Sequence, residues 1–424
     1  MVVSKFITIL FPIIFLFHTS AAQSLSDDLN DTTGYFSFPP EWDPHEAVWI
    51  DWPDMQPYPE IYHTKIKMID ALHKTVKVKL LTHADSLIEL AVKMMLDENI
   101  DTSKVEIFYH EIPNYFIRDA GPKYLTNGKD YMIADFKWNC YGLEDMEVRC
   151  YERGKLDNDI AAQSGIPVRE TDIVVEGGAI EVNSSVILSI KAMAEHRNPC
   201  KSLSEIEKQL LRMYGKQKVI WVDKIPLIEQ HGYKIDNYFG QGATGHIDNF
   251  MRFVNDSTIV AGVIDSSEKN SNPINQEDYY RLQHNLNQLK QATDIHGNPF
   301  HIIELPMPDI THYAWRGKLT SGMKNSPWNK RYYENFEVGD SIIYIPIMSY
   351  LNFFISNGVV LIHKYWQEGI LESERKKDQY VYETFKRLFP DRKVVQINAL
   401  PLNWNGGGVH CATQQVPKLK NANE

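Results

Sequence analysis

Residues 353–363 read Phe353-Phe354-Ile355-Ser356-Asn357-Gly358-Val359-Val360-Leu361-Ile362-His363, two apolar runs on either side of an Asn-Gly pair. Tight hairpin turns need φ > 0 at their central residues, which Asn tolerates and Gly adopts freely, so the stretch predicts two antiparallel strands, 353–355 and 359–363. Downstream, Val381, Phe385 and Leu388 recur at i, i+4 and i+7, predicting a helix with one apolar face, and the run 394–397 predicts a strand after it. The unit is hairpin, helix, strand.

Toward the N-terminus the same order returns. Runs 250–254 and 258–263 flank Asn255-Asp256 and lead to Leu282/Leu286/Leu289 and then 301–305; runs 179–182 and 186–190 flank Asn183-Ser184 and lead to Ile206/Leu210/Met213 and then 219–222. A looser copy starts at 123–136, with Asn127-Gly128 as its turn, a weak helix near 153–164 and a strand at 171–175. An opening unit over 47–111 has helices near 61–76 and 86–98 and strands at 78–82 and Val105–Tyr109, with 48–51 unassigned. Alternating strand and helix patterns indicate an α/β class. Five units, each with an apolar face to bury, can close into a pseudo-fivefold ring forming one domain over 37–417; a doubly wound open sheet is the other arrangement the pattern allows. Segments 224–245 and 306–349 read as long loops, where specificity would be set.

Composition bounds the partners. The 424 residues carry 44 Lys+Arg against 55 Asp+Glu, a formal charge of −11, with no long basic run, which disfavours a nucleic-acid binder. Residues 1–22 hold one charge, Lys5, an apolar run over 6–17 and small residues before Gln23, the layout of a secretory signal. The expected organisation is a signal over 1–22, a linker over 23–36, the domain, and a tail over 418–424, giving a secreted or extracytoplasmic protein with no membrane association after cleavage. Self-association into a homo-oligomer is compatible with this. Four cysteines, Cys140, Cys150, Cys200 and Cys411, are too few for a disulfide scaffold, though one bridge among the first three is allowed. Sequons stand at Asn30, Asn183 and Asn255.

Special segments open the units. Asn403-Trp404-Asn405-Gly406-Gly407-Gly408-Val409-His410-Cys411 places three glycines before a cysteine, reading either as a nucleophile loop or as a turn into a small buried Cys. Gly245-His246-Ile247-Asp248-Asn249 reads as an acid/base histidine beside a carboxylate, a pair of metal ligands, or the start of an element. Phe116-Ile117-Arg118-Asp119-Ala120-Gly121-Pro122 carries a charged pair that a surface turn would also explain, Glu176-Gly177-Gly178 follows an apolar run, and Ser349-Tyr350-Leu351-Asn352 opens the last hairpin. Asp119, Glu176, His246 and Asn352 each lie just ahead of a unit's first strand, and Cys411 follows the last unit, so a ring would bring them to one mouth. A thiol, an imidazole and carboxylates without a second Cys or a His pair suggest covalent catalysis rather than zinc. Carboxylates around a thiolate suit an electrophile that is itself a cation, and a guanidinium is planar, charged and rich in N–H donors.

These motifs, together with Pro39-Pro40-Glu41-Trp42-Asp43-Pro44-His45-Glu46, Trp49, Trp52-Pro53, His196-Arg197-Asn198-Pro199 and 406–416, resemble the agmatine deiminase and Porphyromonas-type peptidylarginine deiminase family in order and over 37–417. The resemblance implies a five-bladed α/β propeller of the guanidino-group-modifying superfamily, pentein-like and built of ββαβ units. It implies Cys411 as nucleophile, His246 as general acid/base, Asp119 and Asp248 as the carboxylates that grip the guanidinium, and Glu176, Asn352 and Trp49 at substrate-binding positions. The implied reaction turns a guanidino group into a ureido group with loss of ammonia through a Cys thiouronium, without metal or organic cofactor. Its substrate would be a cationic guanidino small molecule, agmatine first (giving N-carbamoylputrescine, a step of polyamine formation), with peptidyl-arginine as the alternative; a secreted cysteine peptidase or an inactive binding protein is more remote. Two departures concern substrate: Phe239-Gly240-Gln241-Gly242-Ala243-Thr244 stands where agmatine deiminases usually carry acidic residues, and Trp138-Asn139-Cys140-Tyr141-Gly142 is only similar to their tryptophan-bearing loop.

Overall fold

Gly358 has φ +64°, and around it Phe354–Ser356 and Val359–Lys364 pair antiparallel, Phe354 opposite Leu361. The helix Glu372–Leu388 buries Val381 and Phe385 and returns the chain into Lys393–Asn398, which runs parallel to the middle strand with Val394 beside Val360. The computed structural model describes residues 35–55, 58–143, 148–325 and 333–420, so the expected signal over 1–22, Asn30, most of the linker and 421–424 lie outside the described residues. Every element here belongs to the unit Phe36–Glu424.

The same wiring recurs in three more sheets. Lys123–Thr126, Tyr131–Lys137 and Val168–Val174 form one, with Leu156–Ser164 as crossover helix. Ile180–Val182, Val186–Ile190 and Lys218–Val222 form the next. Its helix, Leu203–Tyr214, starts at a Ser202/Glu205 capping box and stops at Gly215 in the left-handed region. Met251–Asn255, Thr258–Val263 and His301–Pro306 form the third, crossed by Pro273–Gln291.

The opening unit is completed from the far end of the chain. His45–Asp51, which contains the unassigned 48–51, is a strand, and its apolar run Ala47-Val48-Trp49-Ile50 is buried on both faces, so no alternation marks it in the sequence. It runs parallel to Lys77–Thr82, and its antiparallel neighbour is Thr413–Pro417, Ile50 opposite Thr413. Val105–Tyr109 adds a fourth strand.

Two expectations are corrected. The described strands lie in six separate sheets, none closed on itself, so the doubly wound single sheet is excluded. The segments 224–245 and 306–349 are not plain loops: His231–Ile235, Tyr238–Gln241, Ser341–Ile345 and Trp315–Lys318 make a four-stranded sheet in that order. Its strands are four or five residues long, and the pairing that joins its two halves, Tyr238 beside Ile343, links segments far apart in the chain, which local periodicity cannot signal. This sheet docks beside the glycine-rich segment, where Tyr344 donates to the Trp404 carbonyl at 3.1 Å and the two rings meet at 5.0 Å.

Candidate active site

Each unit delivers one polar residue just before its hairpin. Asp119 sits in the turn Ile117–Ala120, Glu176 caps Gly177–Ala179, His246 precedes Ile247–Asn249, Asn352 precedes Phe354–Ser356, and Cys411 precedes Thr413–Pro417. All five are buried, together with Asp248.

Three of them converge on a residue without a side chain. A Cβ added to Gly178 would lie 2.5 Å from His246 Nδ1, 3.0 Å from Asp119 Oδ1 and 3.2 Å from Asp248 Oδ2. Asp119 Oδ1 accepts the Gly178 N–H at 3.1 Å and stands 3.6 Å from His246 Nδ1, while Oδ2 accepts the Tyr141 hydroxyl at 2.9 Å. Asp248 Oδ2 lies 3.7 Å from Cys411 Sγ and receives His410 Nδ1 at 2.6 Å. Neither ring nitrogen of His246 makes a protein hydrogen bond, and Asp248 Oδ1 is likewise unpaired. Buried polar atoms left open in this way fit a bound polar group. Asn352 Nδ2 stands 3.2 Å from Cys411 Sγ.

The electrostatics of the cluster are set by burial and by its two carboxylates. Burial, then the charges of Asp248 and Asp119, push the Cys411 thiol well above its ordinary range, and burial also raises Asp119. Against the cost of burial, the hydrogen bond from His410 keeps Asp248 below its usual value. A guanidinium placed between the carboxylates would offset their effect on the thiol.

Glu176 plays a different part from the other acids. Arg197 Nε binds its Oε1 at 2.6 Å, which holds its carboxyl down against burial, and Arg197 Nη2 reaches the Ala243 carbonyl at 2.9 Å; Oε2 is unpaired. Trp49 is not brought to the cluster: its indole donates to Tyr124 at 3.3 Å, packs on Phe108 at 4.6 Å and carries Lys79 over its face. A fully buried, two-faced central strand leaves that ring in the core. Arg118 is not half of a surface pair; it is buried and binds Gln415 Oε1 at 2.7 Å and Glu41 Oε2 at 3.3 Å. Among the described residues no group of three or more His, Cys, Asp or Glu is arranged to hold a metal ion.

Sequence reasoning missed several residues. Glu41 bridges His410 Nε2 at 2.8 Å and Arg252 at 3.1 Å, and Arg252 binds Glu181 at 2.6 Å. Glu229 is buried with one oxygen 3.3 Å from the His246 backbone N–H, so an acid does reach the Gly-His motif, from 17 residues upstream rather than from the segment just before it. Tyr141 was passed over within its loop. Cys140 and Cys150 are disulfide-bonded, and Cys200 is free and exposed. The signal for Glu41 and His410 was present, since both lie inside motifs quoted above, but nothing in the spacing said they would meet.

Comparison with known proteins agrees with this fold. A Streptomyces coelicolor protein named "Putative agmatine deiminase" is 26% identical over 394 residues, covering 90% of this chain and 99% of its own. The solved structure of an agmatine deiminase of Enterococcus faecalis superposes with a TM-score of 0.68 at 21% identity, over 91% of this chain and 96% of that one. A C. jejuni agmatine deiminase with substrate bound, solved as a cysteine-to-serine variant, gives 0.68 at 20% identity, over 93% and 100%. The protein is an enzyme of the deiminase type, a hydrolase acting on guanidino groups. The chain belongs to the Porphyromonas-type peptidyl-arginine deiminase family, whose model matches residues 37–417.

Proposed function

We propose that this enzyme hydrolyses agmatine to its ureido product and ammonia through a covalent intermediate on Cys411. The observation that carries the reading is the convergence of His246, Asp119 and Asp248 about Gly178, with Cys411 Sγ 3.7 Å from Asp248 and with imidazole and carboxylate atoms left unpaired. Asp119 and Asp248 hold the guanidinium; its charge lowers the thiol pKa, and Cys411 Sγ, as thiolate, adds to the central carbon. The C–N bond breaks, protonated His246 delivers the proton that lets ammonia leave, and a thiouronium remains. Neutral His246 then takes a proton from water, the oxygen adds to the same carbon, and the C–S bond breaks to return the thiolate.

Agmatine is favoured over peptidyl-arginine because curated relatives covering nearly the whole chain carry that name and because the reactive groups are buried, which suits a slender tail. In this reading the five similarly wired sheets are blades of a pentein-like propeller over 37–417, residues 1–22 direct export, and the reaction runs outside the cytoplasm.

Ureido and ammonia release by the purified protein, offered agmatine, free arginine and an arginine peptide side by side with EDTA present, tests it. Turnover of agmatine, abolished in a folded Cys411→Ala variant, is the expected result. Substantial ureido formation by that variant removes the covalent mechanism, and turnover of the peptide alone replaces the substrate.

A further inference from the structure

The Tyr141 hydroxyl donates to Asp119 Oδ2 at 2.9 Å, and its ring centroid lies 5.8 Å from that of His246. With the Gly178 N–H on Oδ1, the carboxylate is held at both oxygens, which fixes its plane and leaves each oxygen a second lone pair for a guanidinium N–H. Burial and the Asp119 charge push the phenol well above its ordinary pKa, so it remains a donor. Asp119, Asp248, His246 and Cys411 are buried whereas Tyr141 is half-buried.

The backbone that aims this hydroxyl is unusual. Cys140 and Tyr141 have φ of +54° and +63°, a left-handed conformation that residues with a Cβ hold only where the surroundings impose it. Here they do. Cys140 is disulfide-bonded to Cys150, with Cα atoms 5.8 Å apart. Trp138 Nε1 donates to the Cys150 carbonyl at 2.7 Å, and its ring meets Tyr141 edge-on at 4.9 Å. Asn139 Oδ1 accepts the Gly142 N–H at 2.8 Å, and a Cβ on Gly142 would lie 2.7 Å from the His196 ring.

We infer that Tyr141 is a positioning residue of the guanidinium site, acting through Asp119, and that the Cys140–Cys150 disulfide keeps it in place. The inference rests on the deiminase reading above. Two-electron reduction by an external dithiol breaks the S–S bond, leaves one hydrogen on each cysteine sulfur and converts the dithiol to its own disulfide; Cys140 is then free to leave the left-handed region and the hydroxyl to leave Asp119.

The test is steady-state kinetics on agmatine for wild type, Tyr141→Phe and the double variant Cys140→Ser/Cys150→Ser, each with and without a dithiol. The Phe variant keeps the ring and removes only the hydroxyl. A positioning role raises KM at least fivefold with a smaller change in kcat, whereas loss of active protein lowers kcat at constant KM. The dithiol should shift wild type in the direction of the Phe variant and leave the double variant unmoved. Wild-type turnover with an unchanged KM in Tyr141→Phe overturns the inference while the deiminase reading stands, and a wild type indifferent to the dithiol removes the role of the disulfide. Absence of wild-type turnover on any guanidino substrate overturns both.

Discussion

Asn352 holds Cys411 twice, through its Nδ2 at 3.2 Å from the sulfur and through its Oδ1, which accepts the Cys411 backbone N–H at 3.3 Å and that of His410 at 3.1 Å. One amide therefore sets both the backbone of the Cys411 segment and the donor facing its thiol. Gly408 has no side chain because a Cβ there would press on this same oxygen and on the His363 ring.

Asn352→Ala strands the buried Cys411 N–H, whereas the His410 N–H keeps the Asn352 backbone carbonyl at 3.2 Å, so urea denaturation should show a loss of about 1–3 kcal/mol. Asn352→Asp keeps the acceptor but sets a negative charge beside the sulfur. It should cost less stability, yet slow alkylation of Cys411 by iodoacetamide at pH 8 by roughly tenfold or more, about one unit of pKa. Equal alkylation rates in wild type and Asp variant would remove the thiol contact from the argument.

His410 joins Asp248 to Glu41, with Nδ1 and Nε2 each on a carboxylate oxygen at 2.6 and 2.8 Å. Against burial, Arg252, His410 and Arg118 hold Glu41 well below its usual range. His410→Ala leaves Asp248 without this donor and Glu41 with its two arginines and the Ile355 N–H, and the urea midpoint should fall by the equivalent of about 3–5 kcal/mol. His410→Gln, which can still donate to one carboxylate, should lose less; equal losses in the two variants would mean that packing rather than charge is at stake.

His363 ties acid stability to the segment that carries Cys411. Its Nε2 accepts the Val409 N–H at 3.2 Å, so the ring proton sits on Nδ1, 2.8 Å from the Tyr365 hydroxyl, and burial lowers its pKa from 6.5 to about 4. The folded value lies below the unfolded one. The contribution to stability is thus fully present above pH 6.5 and is lost as the pH falls toward 4, at about 1.4 kcal/mol per unit. Denaturation at pH 7 and pH 4.5 should show wild type losing about 2–3 kcal/mol more than His363→Gln over that interval. Parallel losses would assign the acid sensitivity elsewhere, for instance to His45, whose pKa burial also lowers to about 4.

Gly178→Ala inserts a methyl where His246 Nδ1 is only 2.5 Å away and two carboxylate oxygens are near 3 Å. Overpacking of this kind costs about 1–3 kcal/mol, which the fold should survive. A displacement of about 1 Å at the reacting groups costs on the order of 10²-fold in rate, so kcat/KM should fall at least that far while circular dichroism is unchanged. A variant with near wild-type turnover would place the reacting centre elsewhere.

By itself, the sequence determined the repeated hairpin, helix, strand order, because turn chemistry at Asn357-Gly358 and helical periodicity at Val381 and Phe385 are local properties. It also determined which side chains open each hairpin and placed Asp248 beside His246, so all six residues described at the candidate site were named from the sequence. Tertiary structure alone decided that Thr413–Pro417 pairs with His45–Asp51, that two apparent loops build one sheet, that Trp49 belongs to the core, and that Glu41, His410, Glu229 and Tyr141 reach the candidate site. These contacts join residues far apart in the chain, and what selects them is the cost of leaving a buried charge or donor unpaired, which no local pattern records.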